Sequence, residues 1–273
     1  MLALLTLLTV SFVAGYGGAL LGLGGGILIV PALTLGFGVP IRVAIGASLV
    51  SVVATSAGAS AAFVKQGFTN MRVAISLEVA TVTGSLAGSL VTGLVSPRVV
   101  QFIFAFVLAG SAIASLRLQA EGGRPVTPDR WSVRLGLGGT YPTADGPVAY
   151  QATRFPLGFG LMVVAGATSG LLGIGAGALK VAAMDVGMRL PLKVSSATSN
   201  FMIGVTAGAG AIVYLVRGDV SAVVAGPVAM GVAAGALLGG RALVKSNTRR
   251  IRKLFVVVLL LISAEMIRRS LWR

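Results

Sequence analysis

Residues 164–183 read "VAGATSGLLGIGAGALKVAA" and residues 13–32 read "VAGYGGALLGLGGGILIVPA". A shift of 151 positions lays one stretch over the other without a gap. The register then continues through Gly36/Gly187, Pro40/Pro191, Val43/Val194, Ser48/Ser199, Thr55/Thr206 and Gly67/Gly218. It still holds at Gly84/Gly235, Gly88/Gly239, Arg98/Arg249 and Phe104/Phe255. Self-similarity at a fixed offset marks a duplicated architecture. Each copy sets a glycine run inside an apolar stretch, where helix logic fails, and the second copy adds Lys180.

Composition says what surrounds these stretches. The chain has 273 residues, 56% of them hydrophobic and only 11% charged, with a mean hydropathy of +0.96. A bilayer span needs about 20 mostly apolar residues, and the chain offers eight such units: 3–37, 41–63, 73–95, 98–117, 157–188, 192–216, 220–240 and 254–271. The reading is an all-α polytopic membrane protein with the lipid bilayer as its main partner. The leading "MLALLTLLTVSFVAGYG" lacks a basic n-region and has a mid-chain counterpart, so it reads as a span and not as a cleaved signal. Thirty-nine glycines suit tight helix packing in lipid, with the small-xxx-small spacing at Gly84/Gly88 and Gly231/Gly235/Gly239.

The absence of Cys and His excludes disulfides, thiolate or imidazole metal sites and Ser-His hydrolase chemistry. No catalytic residue, no metal and no cofactor is expected. The net charge of +15 sits mostly at span ends, where it sets orientation, so no nucleic-acid partner is inferred.

Loop charge orients the repeats. Residues 241–253 hold six basic and no acidic residues, whereas their first-half equivalent carries only Arg98. Conversely "KQGFTNMR" has Lys65 and Arg72, while its counterpart pairs Arg217 with Asp219. The bias swaps between halves, which places equivalent loops on opposite sides and makes the repeats inverted. The expected plan is a first transmembrane repeat over 1–118, a cytoplasmic linker over 119–155 and a second repeat over 156–273. Each repeat has about four hydrophobic units, with its glycine-broken unit a hairpin that enters and leaves on one side. The Pro/Gly-rich linker holds two alternating stretches, "RWSVRL" and "VAYQA", that read as a small β-hairpin.

Irregular backbone survives in hydrocarbon only where protein or a watery cavity surrounds it. In an inverted repeat "GLGGG" (22–26) and "GIGAG" (173–177) meet near the midplane, and the half-helices that follow aim free N–H groups at one point. A small anion suits that point. Lys180, whose repeat mate is Ile29, either faces the anion or pairs with another unit, Glu78 being the natural partner. Asp185 lies roughly 140° around the helix from Lys180, a poor direct pair. Glu78 and Asp185 are the candidates for ion coupling. Polar residues after the repeat's prolines add Ser48, Ser51, Thr198 and Asn200 as pathway-lining candidates, beside Ser195, Ser196, Ser199 and Thr206.

"GLGGGILIVPAL", "GASLVSVVATSAG", "TNMRVAISLEVAT", "GLLGIGAGALKV" and "SSATSNFMIGVTAGAGA", in that order, resemble the sulfite exporter TauE/SafE family of bacterial inner-membrane permeases. The resemblance implies transport, usually export, of sulfite or small organosulfur anions such as sulfonates, coupled to an ion gradient. Carried over by position, it puts Gly24, Gly25 and Gly26 with Gly175, Gly177 and Lys180 at the binding site. Ala176 and Ala182 stand where the family commonly has a third glycine and a proline, so the second break is expected to be tighter and more helical. An anion channel with the same site, or a non-transporting scaffold, are the alternatives, and a homo-oligomer is possible.

Overall fold

Glycine and proline decide where these helices stop. The computed structural model describes residues 2–20, 26–117, 126–143, 146–243 and 248–272. Helix α1 (Leu2–Leu20) is followed by a short α2 (Gly26–Pro31) that widens into a π-helical turn over Ala32–Gly36, then by α3 (Ile41–Lys65), α4 (Met71–Leu94) and α5 (Pro97–Arg117). A segment with a one-turn helix α6 (Arg130–Arg134) and strands β1 (Gly139–Thr143) and β2 (Gly146–Tyr150) comes next. Then α7 (Phe155–Leu172) leads to a short α8 (Gly177–Ala182) with its own π-helical turn over Ala183–Gly187, followed by α9 (Leu192–Val216), α10 (Ala222–Leu243) and α11 (Thr248–Trp272).

The two short helices match at the same offset. Each π turn closes alike, Val39 N–H donating to the Leu33 carbonyl and Leu190 N–H to the Met184 carbonyl, both at 3.0 Å. Ala182 replaces Pro31 without removing the turn, so the widening does not depend on the missing proline N–H.

Packing repeats the match with the halves exchanged. Helix α4 lies against α7 and α1 against α10. A Cβ on Gly84 would strike the Val163 carbonyl, and one on Gly166 the Thr81 carbonyl. At the other crossing a Cβ on Gly235 would strike the Phe12 carbonyl, and one on Gly15 the Val232 carbonyl. Phe12 and Val163 are repeat mates, as are Thr81 and Val232, so one backbone-to-backbone crossing is built twice. The mates α3 and α9 pack on each other, and α9 also touches α4 and α8.

Polarity runs inside-out, as lipid requires. Helix α4 turns Thr81, Ser85, Ser89 and Thr92 inward and leaves Ile75, Val79, Leu90 and Leu94 exposed, Leu94 at 87%. Met71–Leu94, Phe155–Leu172 and Leu192–Val216 are long and apolar enough to cross a membrane, and shorter apolar helices cover Gly26–Gly36, Ile41–Ala57, Pro97–Ala112 and Ala222–Leu238.

The segment before α7 differs from expectation in one respect. "RWSVRL" is not a strand: Arg130–Arg134 is a helical turn, and β2 pairs antiparallel with "GTYPT", Gly139 opposite Tyr150 and Thr143 opposite Gly146. Asp129 fixes the turn, its carboxylate accepting from the Ser132 hydroxyl and its carbonyl from Val133 N–H. Five alternating residues satisfy one helical turn as readily as a strand.

Candidate functional site

The second glycine break is a left-handed kink. Gly173, Gly175 and Ala176 take φ values of 71, 69 and 47°. Ala176 therefore does not make the break more helical; it adopts a conformation that costs a Cβ-bearing residue about 1–2 kcal/mol. Gly26 of the first break abuts this kink, since a Cβ there would lie 2.9 Å from the Gly173 carbonyl oxygen. The Ser48 hydroxyl donates to that oxygen at 2.7 Å and lies 3.3 Å from the Gly26 carbonyl. Its mate Ser199 lies at the same 3.3 Å from the carbonyl of Gly177, the mate of Gly26. Gly24 and Gly25 lie outside the described residues. Gly175 faces Ile203 and Val52, so buried apolar side chains close over the kink.

One turn beyond the kink, Lys180 is fully buried. Its Nζ donates to Thr206 Oγ1 at 2.6 Å and to the Met202 carbonyl at 3.2 Å. Thr206 Oγ1 in turn lies 2.6 Å from Glu78 Oε1 and 2.8 Å from the Met202 carbonyl. A hydroxyl has one proton, so it serves Glu78 or Met202 and not both. Glu78 Oε2 is buried without a hydrogen-bond partner. Lysine and glutamate from different halves are thus joined through a hydroxyl on a third helix.

The remaining candidates divide. Ser51 is buried but spends its hydroxyl on the Ser48 carbonyl of its own helix, at 2.7 Å. Asn200 donates to the Ser196 carbonyl at 3.0 Å. Asp185 sits in the π turn, with Oδ2 buried and unbonded, and makes no hydrogen bond to Lys180. Thr198 is at the end of the bundle where the linker docks. Its hydroxyl accepts from Asn70 N–H at 3.0 Å, while the Asn70 amide donates to the Leu137 carbonyl at 2.9 Å and to the Tyr150 hydroxyl at 2.8 Å. Burial pushes the Tyr150 phenol above its ordinary range, and the amide opposes this.

Thr206 is the residue that sequence reasoning left among its neighbours. The contacts Asn70/Thr198, Glu78/Thr206 and Ser89/Arg217 each span 128 residues. Helices α4 and α9 therefore run parallel in one register, tied by polar groups at both ends and in the middle. Ser85 adds a bond to the Thr206 carbonyl at 2.9 Å. Among the described residues no group of three His, Cys, Asp or Glu could hold a metal.

Comparison with known proteins gives a family and two relatives. The family model described as "Sulfite exporter TauE/SafE" matches residues 7–266. The chain is similar to the "Probable membrane transporter protein YunE" of Bacillus subtilis (strain 168), 29% identical over 268 residues, with 96% of each chain covered. It is also similar to the "Probable membrane transporter protein YdhB" of the same organism, 26% identical over 242 residues, covering 88% of this chain and 89% of that one. No solved structure matches significantly.

Proposed function

The chain belongs to the sulfite exporter TauE/SafE family, and we propose that it is a secondary transporter that exports a small anion such as sulfite or an organosulfonate across a bacterial inner membrane. The observation that carries this reading is Lys180, fully buried beside the glycine kink and tied to its carboxylate only through Thr206. A lysine at a helix centre costs about 2.5–3.5 kcal/mol on insertion scales, and a site that can admit an anion gives that charge a use. The N–H groups freed at the kink lie one turn away, where they can share the anion's oxygens.

Alternating access between two inverted repeats fits the exchanged crossings of α1/α10 and α4/α7. A Cβ on Gly158 would meet Met188, and one on Gly187 would meet Leu161, so α8 and its π turn run back along α7 as a hairpin does. The packing of Ile203 and Val52 over Gly175 is then an occluded state, which rocking of one repeat opens. Glu78, rather than the unbonded Asp185, serves as the coupling carboxylate, because Thr206 connects it to the lysine.

The test is flux of sulfite, sulfate, a small sulfonate and chloride into proteoliposomes, with and without a pH gradient, for wild type and Lys180→Met. Saturable, gradient-dependent flux of a sulfur anion that the substitution abolishes is expected. Non-saturating flux without gradient dependence identifies a channel. Absence of flux from folded wild-type protein identifies a scaffold and ends the reading.

A further inference from the structure

The charges around Lys180 are few enough to be added up. Among the described residues it is the one charged side chain that is fully buried. Around Glu78, α7 carries no ionisable residue between Phe155 and Leu172, and α9 carries only Lys193 and Tyr214, near its two ends. On α4 itself the other charge is Arg72, exposed and turned to the Gly136 carbonyl at 3.4 Å. Helix α8 contributes Lys180, and the π turn contributes Asp185, which bonds neither group. The centre therefore holds one ammonium and one carboxylate, and its net charge is zero.

The repeat supplies no second pair. The mates of Lys180, Thr206 and Glu78 are Ile29, Thr55 and Ala229, of which only Thr55 is polar, and its hydroxyl donates to the Val52 carbonyl of its own helix at 3.0 Å. One coupling centre is present among the described residues, and it can store one proton.

We propose that this centre takes a singly charged anion together with one proton, so that the two cross in the same direction as an electroneutral pair. The inference rests on the transporter reading above and adds to it the charge class of the substrate and the sense of coupling: an alkaline cytoplasm draws the pair inward, so export runs down the anion's own gradient. An anion arriving at Lys180 while Glu78 is ionised would leave the closed core with an uncompensated negative charge, which a low-dielectric interior resists. The balanced step is Lys180 ammonium, Glu78 carboxylate, one anion and one proton going to an ammonium–anion pair and a neutral Glu78 carboxylic acid. Net charge is zero before and after. A dianion such as sulfate leaves a surplus charge and is discriminated against.

Thr206 lets this happen without rearranging the core. With Glu78 ionised its proton points at Oε1, 2.6 Å away. With Glu78 protonated it turns to the Met202 carbonyl, 2.8 Å away, and accepts from the carboxylic acid instead. Oε2, buried and unbonded, is an alternative place for the arriving proton. Lys180 Nζ has three N–H groups and finds two acceptors among the described residues, which leaves one for the anion.

The test uses wild-type protein in proteoliposomes, with labelled sulfite and labelled methanesulfonate as probes. Methanesulfonate has no proton of its own to carry near neutral pH, so any proton that moves with it is the protein's. A one-unit pH step should concentrate methanesulfonate about tenfold on the alkaline side, since a 1:1 pair equalises the product of anion and proton activities, and should concentrate sulfite further, because part of it deprotonates to the dianion there. A potassium diffusion potential should leave that ratio unchanged, and sulfate should not compete. Glu78→Gln, which can neither take up nor release a proton, should lose pH-driven accumulation. Accumulation on the acidic side, accumulation driven by the potential, or a Glu78→Gln protein that still accumulates anion with pH overturns the inference and leaves the transporter reading standing. No flux of either probe by folded wild type overturns both.

Discussion

The Ser48 hydroxyl of α3 donates to the Gly173 carbonyl at 2.7 Å, tying a helix of the first half to the break in the second. That carbonyl belongs to a residue in the left-handed region at the end of α7, where the helix leaves it no partner of its own. Ser48→Ala should lower stability by about 1–3 kcal/mol, the cost of a buried acceptor left unsatisfied. Ser51→Ala removes a hydroxyl that bonds only within its own helix, and should cost well under half as much. Thermal unfolding of both variants in one detergent checks the ranking.

Ala176 stands at φ 47° with a Cβ that this conformation disfavours. Ala176→Gly should stabilise the protein by about 1 kcal/mol, because glycine takes the left-handed region without the steric penalty. The gain should disappear if the kink straightens in solution, so the same melt measures whether the break persists there.

The exchanged crossings make a paired prediction. Gly84 and Gly235 are repeat mates whose Cα atoms face the carbonyls of the mates Val163 and Phe12, with no room for a side chain. Leucine at either position must push two backbones apart, a change in the class of overpacking that costs about 1–3 kcal/mol or more. Gly84→Leu and Gly235→Leu should lose folded protein to a similar degree. Leucine at Gly110, where a Cβ meets nothing within 4 Å, should be tolerated. Monodisperse yield after detergent extraction separates the three.

What the sequence disclosed follows from what repeats. The offset of 151 positions carries α3 onto α9 and one π turn onto the other, because glycine and proline punctuate both copies alike. Lys180 and Glu78 were visible because ionisable residues are rare in apolar stretches. Thr206 was not separable, since α9 offers six hydroxyl or amide side chains between Ser195 and Thr206 and nothing in their order says which face α4. At about 100° per residue Asn200 lies roughly 120° around the helix from Thr206, which turns it away from the Lys180 contact. Thr198 shares that contact's side more nearly but sits two turns closer to the linker, where Asn70 claims it.

Asn70, which claims Thr198, should therefore hold the linker. It accepts from Val73 N–H through Oδ1 as the N-terminal cap of α4 and reaches Leu137 and Tyr150 with its amide. Asn70→Ala removes the cap, worth about 1 kcal/mol, and both linker bonds. Limited proteolysis should then cut between residues 126 and 155 faster than in wild type. Cleavage at the wild-type rate means that β1 and β2 hold the linker without Asn70.

The bridge itself gives the sharpest comparison. Thr206→Ser keeps the hydroxyl that accepts from Lys180 and donates to Glu78, whereas Thr206→Val keeps the shape and removes both bonds. Hydrogen bonds to charged groups contribute about 1.5–3 kcal/mol each. The valine protein loses two of them and leaves a buried ammonium with the Met202 carbonyl as its remaining described acceptor. Thr206→Ser should melt close to wild type and transport, while Thr206→Val should be destabilised by at least about 2 kcal/mol and lose most of its flux. If valine transports as well as serine, the hydroxyl does not connect the two charges, and Lys180 and Glu78 act independently.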